Sequence, residues 1–182
     1  MPGPASLCVF CGSRAGVDPA YARAATDVGA KLARRGIRVV TGGARVGLMG
    51  AVADGALGAG GNVTGVLPRG LVDREIPHEG LDDLRVVATM HERKMLMAEL
   101  ADGFLVLPGG IGTFDELFES FTWAHLGLHD KPLGLLDVAG YFGPLVALLD
   151  HAVREGFLSA TTRARLRVDD DLDALLEAFA TA

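Results

Sequence analysis

Cysteine is scarce, aromatic residues make up 6% of the chain, and positive charge is outweighed, with a formal net charge of -6. That balance gives no electrostatic case for nucleic-acid or membrane-surface binding. Arg34-Arg35 and the Arg163, Arg165 and Arg167 group are local exceptions, read as solvated helix ends or strand edges. No apolar run approaches the roughly 18 residues that a membrane span requires. The two cysteines, Cys8 and Cys11, stand in "CVFCGS". A zinc site would need a second pair or nearby histidines, which this stretch lacks, so no metal is expected. Cys8 lies inside an apolar run, which favours a buried, inert thiol over a redox dithiol. With two cysteines and no signal peptide, a reducing cytoplasm is the expected compartment. The first strand candidate is not followed by G-x-G-x-x-G, and G-x-x-x-x-G-K-[ST] occurs nowhere. A standard dinucleotide site and a P-loop are therefore not expected.

What is present is a regular alternation. The chain has 182 residues, 49% of them hydrophobic, enough for one domain with a full core, taken as 1–182. Short apolar runs at Leu7–Phe10, Ile37–Thr41, Val63–Leu67, Leu84–Val87, Gly103–Leu107 and Leu133–Leu136 lack clean polar alternation and read as strands buried on both faces. Amphipathic segments near 19–35, 47–60, 91–101, 113–126, 141–155 and 170–180 fill the gaps as helices. This pattern predicts an α/β fold, a doubly wound parallel sheet with helices on both faces.

Many of the 25 glycines fall where a strand run ends, where ligands bind in such sheets. "FCGSRAG", "TGGARVGLMG" and "PGGIGTFDE" are the three loops of interest. Glycine lets backbone N–H groups approach a phosphate at a helix N-terminus, with the dipole adding to the attraction. Gly109, Gly110, Ile111, Gly112 and Thr113 would form one such nest, and Gly42, Gly43 and Gly47 a second donor surface. Tight turns or helix caps are the plainer reading of the same glycines. Glu116 is likewise ambiguous. Thr113-Phe114-Asp115-Glu116 fits a capping box, in which the glutamate serves only the helix end. Beside a bound phosphate, the same carboxylate is about one helical turn away, at the distance of a nucleotide's ribose.

In "TMHERKMLMAEL" a helix puts Arg93, Met97 and Leu100 on one face, so Arg93 continues an apolar stripe, where a solvated arginine does not belong. His91, Glu92 and Lys94 fall on other faces and suit surface or i, i+4 pairing roles. Met90, with Met95 and Met97, reads as core filler or as a base contact. Met90, Lys94 and Ser13 are kept as candidates for base or ribose contacts. The segment holding Leu117, Phe118, Phe121, Trp123, Ala124 and Leu126 is apolar nearly all round, so a second copy of the chain is expected to cover part of it.

"PGGIGTFDE" matches P-G-G-x-G-T-x-x-E, and with "MHERK", "GGARVGLMG" and "CVFCGS" it resembles the Lonely Guy family of cytokinin riboside 5′-monophosphate phosphoribohydrolases, from Cys8 to about residue 155. Proteins of this kind have often been labelled lysine decarboxylases. The resemblance implies a Rossmann-like homodimer, with no cofactor, that releases the free base and ribose 5-phosphate from an adenine-type nucleoside 5′-monophosphate, either an N6-modified cytokinin nucleotide or AMP. It implies that Arg93 and Glu116 are the catalytic pair, that Gly110, Gly112 and Thr113 hold the phosphate, and that both subunits line the base pocket. A nucleotide or cofactor-carrier module on the same fold is the alternative. A pyridoxal phosphate decarboxylase would need a Schiff-base lysine. Of Lys31, Lys94 and Lys131, only Lys94 is expected near the pocket.

Overall fold

The computed structural model describes residues 3–71 and 76–181. The expectation of one domain over 1–182 therefore reaches past the described residues at both ends and across 72–75. Among the described residues, seven strands, β1 (Ser6–Phe10), β2 (Arg38–Thr41), β3 (Val63–Pro68), β4 (Asp83–Val87), β5 (Gly103–Val106), β6 (Leu133–Leu136) and β7 (Leu166–Asp169), form one sheet. They alternate with α1 (Pro19–Arg34), α2 (Gly47–Gly58), α3 (Met90–Glu99), α4 (Ile111–His125), α5 (Gly143–Arg154), α6 (Ala160–Ala164) and α7 (Leu172–Ala180). Every strand pair is parallel and the order is β4-β3-β2-β1-β5-β6-β7. The expected doubly wound parallel sheet is thus the observed one.

Side chains alternate across it into two cores. Leu7, Val9 and Cys11 of the first strand run, with Leu105 and Leu107 of the fifth, face the layer that contains α1, α2 and α7. Cys8, Phe10, Phe104 and Val106 face the opposite layer, with Met97 of α3, Leu117 and Phe121 of α4 and Leu149 of α5. Burial on both faces is why the central strands read as unbroken apolar runs. The two cysteines consequently belong to opposite cores. Both are free and buried, and burial, reinforced by the negative charge of Glu116, pushes both thiols up, which leaves them protonated.

Strand β7 and the short α6 were not expected. β7 is an edge strand, paired only with β6, and its single buried residue is Leu166. Charged residues on such an edge blunt further pairing and hide the apolar signal. The neighbouring arginines fall at helix ends and on this strand: Arg163 closes on Asp150 at 2.8 Å, Arg165 on Asp130 at 2.7 Å, and Arg167 is in β7. Within α4, Leu117, Phe121 and Ala124 are consumed by the chain's own core, whereas Phe118 and Leu126 remain 37% and 63% exposed. No helix among the described residues is long and apolar enough to cross a membrane.

Candidate active site

Strand order reverses between β1 and β5: chain progress runs one way through β2, β3 and β4 and the other way through β6 and β7. The loops that follow β1 and β5 therefore diverge to opposite faces and leave a crevice at the carboxyl edge. A cavity of about 600 Å³ occupies it. The two loops are stitched together as they part, Leu107 N–H donating to Phe10 O at 2.9 Å and Gly12 N–H to Pro108 O at 3.0 Å. Gly12 O in turn accepts from Leu48 N–H of α2 at 2.9 Å. The crevice is thus framed by three segments of rigid backbone.

The wall that follows β5 has the chemistry of an anion site. α4 starts at Ile111 with Gly110 as its N-cap, and no side chain caps it. Its first-turn N–H groups have no intrahelical acceptor by construction. Gly109, Gly110, Ile111, Gly112 and Thr113 all line the cavity. Ile111 is 87% exposed, so its side chain is not part of the core and this stretch of the wall stands at the surface. Gly109 is required by close approach: a Cβ there would stand 2.1 Å from Thr113 Oγ1 and 2.9 Å from Gly12 N. The helix start also decides the ambiguity at Glu116. Thr113 is the third helical residue, not the N-cap, so Glu116 lies in the second turn, too far along to close a capping box. At the other T-x-x-E segment the threonine does cap a helix: Thr89 is the N-cap of α3, its hydroxyl accepts from Glu92 N–H at 3.1 Å, and the Glu92 carboxylate accepts from the N–H of Ala88, the residue before the cap, at 2.8 Å.

Arg93 sits one turn into α3, 4% exposed, and lines the same cavity as Glu116. Its Nη2 donates to Gly42 O at 3.2 Å, and Nη1 lies 3.8 Å from Met90 Sδ. Gly42 has no room for a side chain, since a Cβ would fall 1.8 Å from Arg93 Nη2. The charges of Arg93 and Glu116 both reach Cys8, in the middle of β1: after burial itself, Glu116 raises and Arg93 lowers its thiol. One buried cation and one half-buried carboxylate therefore share a desolvated space, where electrostatic effects are stronger than in water.

Ser13 and Met90 also line the cavity; Gly43 and Lys94 do not. Gly43, at φ 81, makes a turn against Leu84 and Gly65, so its glycine is explained by packing. Lys94 reaches instead from α3 to α4, where its Nζ bridges Asp115 at 3.1 Å and Glu119 at 3.0 Å. It ties the helix bearing Arg93 to the helix bearing Glu116. Burial alone would lower the Lys94 ammonium, but hydrogen bonds and charge from Glu119 and Asp115 outweigh it and hold its pKa above 10.5. Arg14, Tyr21 and Tyr141 line the cavity without having been singled out. "DVAGYFG", another glycine-bearing loop at a strand end, was the available signal for Tyr141.

A parallel sheet wound on both faces, with a cavity at its switch point, defines a Rossmann-like α/β protein. The chain belongs within that class to the cytokinin riboside 5′-monophosphate phosphoribohydrolase family. It is 48% identical over 179 residues to such an enzyme of Rhodococcoides fascians, covering 98% of this chain and 90% of that one. It is also 48% identical over 157 residues to one of Arabidopsis thaliana, covering 86% of this chain and 74% of that one. The family described as "Possible lysine decarboxylase" matches residues 49–179. In three dimensions the chain resembles the molybdenum cofactor carrier protein of Chlamydomonas reinhardtii, with TM-score 0.71 and 21% identity over 95% of this chain and 94% of that one. It also resembles the molybdenum cofactor binding protein of Rippkaea orientalis, with TM-score 0.70 and 20% identity over 100% and 98%. At these identities the likeness is one of fold.

Proposed function

We propose that this protein is a hydrolase that cleaves the N-glycosidic bond of adenine-type nucleoside 5′-monophosphates, with residues 1–182 acting as a single nucleotide-binding domain. One observation carries the reading: a single cavity holds the uncapped, glycine-rich start of α4 together with Arg93 and Glu116. The 5′-phosphate would take the amides of Gly110, Ile111, Gly112 and Thr113, where the helix dipole favours negative charge. Glu116, one turn further, then faces the ribose. As the C1′–N bond breaks, its electron pair leaves with the base and positive charge develops at C1′ and the ring oxygen. The Glu116 carboxylate stabilises that charge, and one water supplies the hydroxyl that ends on C1′ and the proton that ends on the departing base. The Arg93 guanidinium has only donors to offer, so it orients phosphate or ribose. The 48% identity to named phosphoribohydrolases supports this chemistry.

The lysines argue against a decarboxylase. Lys31 is bonded to Asp173 at 2.6 Å, and Lys131 to the carbonyls of Ala98 and Ala101 at 2.6 and 2.7 Å. Lys94 is held in its charged form by two carboxylates, and an ammonium has no lone pair to form a Schiff base. We further read the protein as a cytoplasmic homodimer. Two free thiols suit a reducing compartment. Met90 and Met95 on α3 and Phe118 on α4 are exposed and offer apolar surface for a second copy to cover. Light scattering is expected to give twice the chain mass of 19.0 kDa.

The deciding experiment compares AMP and N6-isopentenyl-AMP with their nucleosides, following release of free base. Loss of the phosphate should lower kcat/KM by about 100-fold or more, because binding energy from that group positions the sugar. Equal rates on nucleosides would sink the phosphate assignment. Tight binding without base release would instead favour the carrier reading. A Lys94-dependent absorbance band on adding pyridoxal phosphate would reopen the decarboxylase reading.

A further inference from the structure

We propose that Tyr141 is a positioning residue: its hydroxyl locks the peptide between Gly109 and Gly110 so that the loop presents amides, not a carbonyl, to the substrate phosphate. The inference rests on the phosphate assignment above. Each carbonyl of Pro108-Gly109-Gly110 has a donor. Pro108 O accepts from Gly12 N–H at 3.0 Å, and Gly110 O from Phe114 N–H at 3.0 Å. Both of those donors are backbone groups inside the framework of the fold. Gly109 O alone is held by a side chain, the Tyr141 hydroxyl.

A trans peptide is planar, so fixing the carbonyl of Gly109 aims the N–H of Gly110 the opposite way. The plane lies between two glycines, which populate both halves of φ space with little penalty. Rotation of such a plane exchanges a donor for an acceptor at small torsional cost. Turned the wrong way, the Gly109 oxygen would repel the phosphate that the neighbouring amides attract.

The tyrosine is held for this task. Asp137 Oδ1 accepts from Phe142 N–H at 2.6 Å, and Ala139 adopts a left-handed conformation at φ 54, a strained choice for a residue with a Cβ. Phe142, with no exposed surface, anchors the turn, and its ring meets that of Tyr141 edge-on at 5.1 Å. Tyr21 braces Tyr141 from the other side, ring centroids 5.9 Å apart at 78°. Removing one oxygen leaves these aromatic contacts in place, which separates the lock from the wall.

Tyr141→Phe is therefore tested by calorimetric binding of ribose 5-phosphate and ribose, and by kcat/KM on AMP and adenosine, with thermal unfolding measured in parallel. The expected result is about fivefold to tenfold weaker binding of ribose 5-phosphate and a similar loss of kcat/KM on AMP, with rates on adenosine and the unfolding temperature nearly unchanged. An equal loss on AMP and adenosine, or no loss on either, would overturn the Tyr141 inference in a protein that still discriminates for phosphate. Absence of phosphate discrimination in the unmodified protein would remove the underlying reading, and this inference with it. A variant with a markedly lower unfolding temperature would assign Tyr141 to structure and also overturn the lock.

Discussion

The cleft beyond β6 and β7 has a volume of about 820 Å³ and is walled by Asp27, Asp137, Asp169, Asp170 and Asp171; the cavity between the loops of β1 and β5, at about 600 Å³, is walled by Arg93, Glu116 and the first turn of α4. Both open at the carboxyl edge of one sheet. In the larger cleft the loop carboxylates serve the backbone: Asp137 holds Phe142 N–H at 2.6 Å, Asp169 holds Asp171 N–H at 2.9 Å, and Asp171 caps α7 through Asp173 N–H at 2.8 Å. Its one cation, Lys31, is taken by Asp173 at 2.6 Å. The smaller cavity has the opposite inventory, because its carbonyls are occupied while the helix start that lines it is uncapped. Room therefore does not mark a site. What marks it is the set of polar groups that folding leaves available for a ligand.

Glu116→Gln tests this contrast most severely. The amide keeps the shape but cannot stabilise an oxocarbenium ion or activate water, so turnover of AMP should fall by about 100-fold or more with binding and fold retained. Arg93→Ala should cripple turnover as well, and the double variant should lose less than the product of the two if the pair acts as a unit. Hydrolysis at the normal rate by folded Glu116→Gln would break the comparison outright and reduce the smaller cavity to a binding loop.

Gly42→Ala sharpens it from behind. The added methyl would overlap Arg93 Nη2 at 1.8 Å, and the end of a long side chain yields before the sheet does. Turnover should drop by about tenfold, the scale of a misplaced reacting group, while thermal unfolding shifts little. A Gly42→Ala enzyme with unchanged kcat would show that the position of Arg93 is not critical.

Lys94→Met should act more weakly, lowering kcat by a fewfold as α3 and α4 lose their tie, with no effect on pyridoxal phosphate spectra. Its pH signature is specific. The folded pKa lies above the ordinary value of 10.5, so the stabilisation is fully present below that value and fades as pH rises through the folded pKa. The unfolding temperatures of the two proteins should converge only in that alkaline range. A gap that instead closed near neutrality would show that the lysine is not held by Asp115 and Glu119.

The smallest effect is expected in the larger cleft. Asp27→Asn combined with Asp170→Asn, at two exposed carboxylates, should leave kcat/KM on AMP within about twofold, as surface changes far from a site usually do. A tenfold change would mean that the acidic cleft takes part in the reaction.

Six of the seven strands and the winding of the sheet were legible in the chain, five of them because burial on both faces writes an apolar run, while strand-end loops collect glycine. β4 is the other edge strand and departs from the expected burial on both faces: Leu84 and Val86 are 37% and 48% exposed, and it was legible only because those exposed positions are still apolar. β7 was hidden because an edge strand is half solvated and carries Arg167 and Asp169 among its four residues. Arg93 was legible as an arginine on an apolar stripe, and the glycine loop as a candidate donor surface. Tyr141 was not, since nothing local shows that its hydroxyl reaches a carbonyl 32 residues away.

A T-x-x-E segment draws the line between sequence and tertiary structure. By itself the sequence determined that 113–116 could cap a helix, because capping needs only a hydroxyl and a carboxylate three residues apart. It could not say whether it did. At Thr89, in a second T-x-x-E segment, the hydroxyl does cap the helix. At Thr113 it begins three residues earlier, at Gly110, because β5 pairs with β1 and Pro108 is drawn against Gly12 N–H, so the chain must turn into α4 at once. That long-range pairing carries Glu116 past the helix end and into the cavity beside Arg93, a residue 23 positions away on another helix.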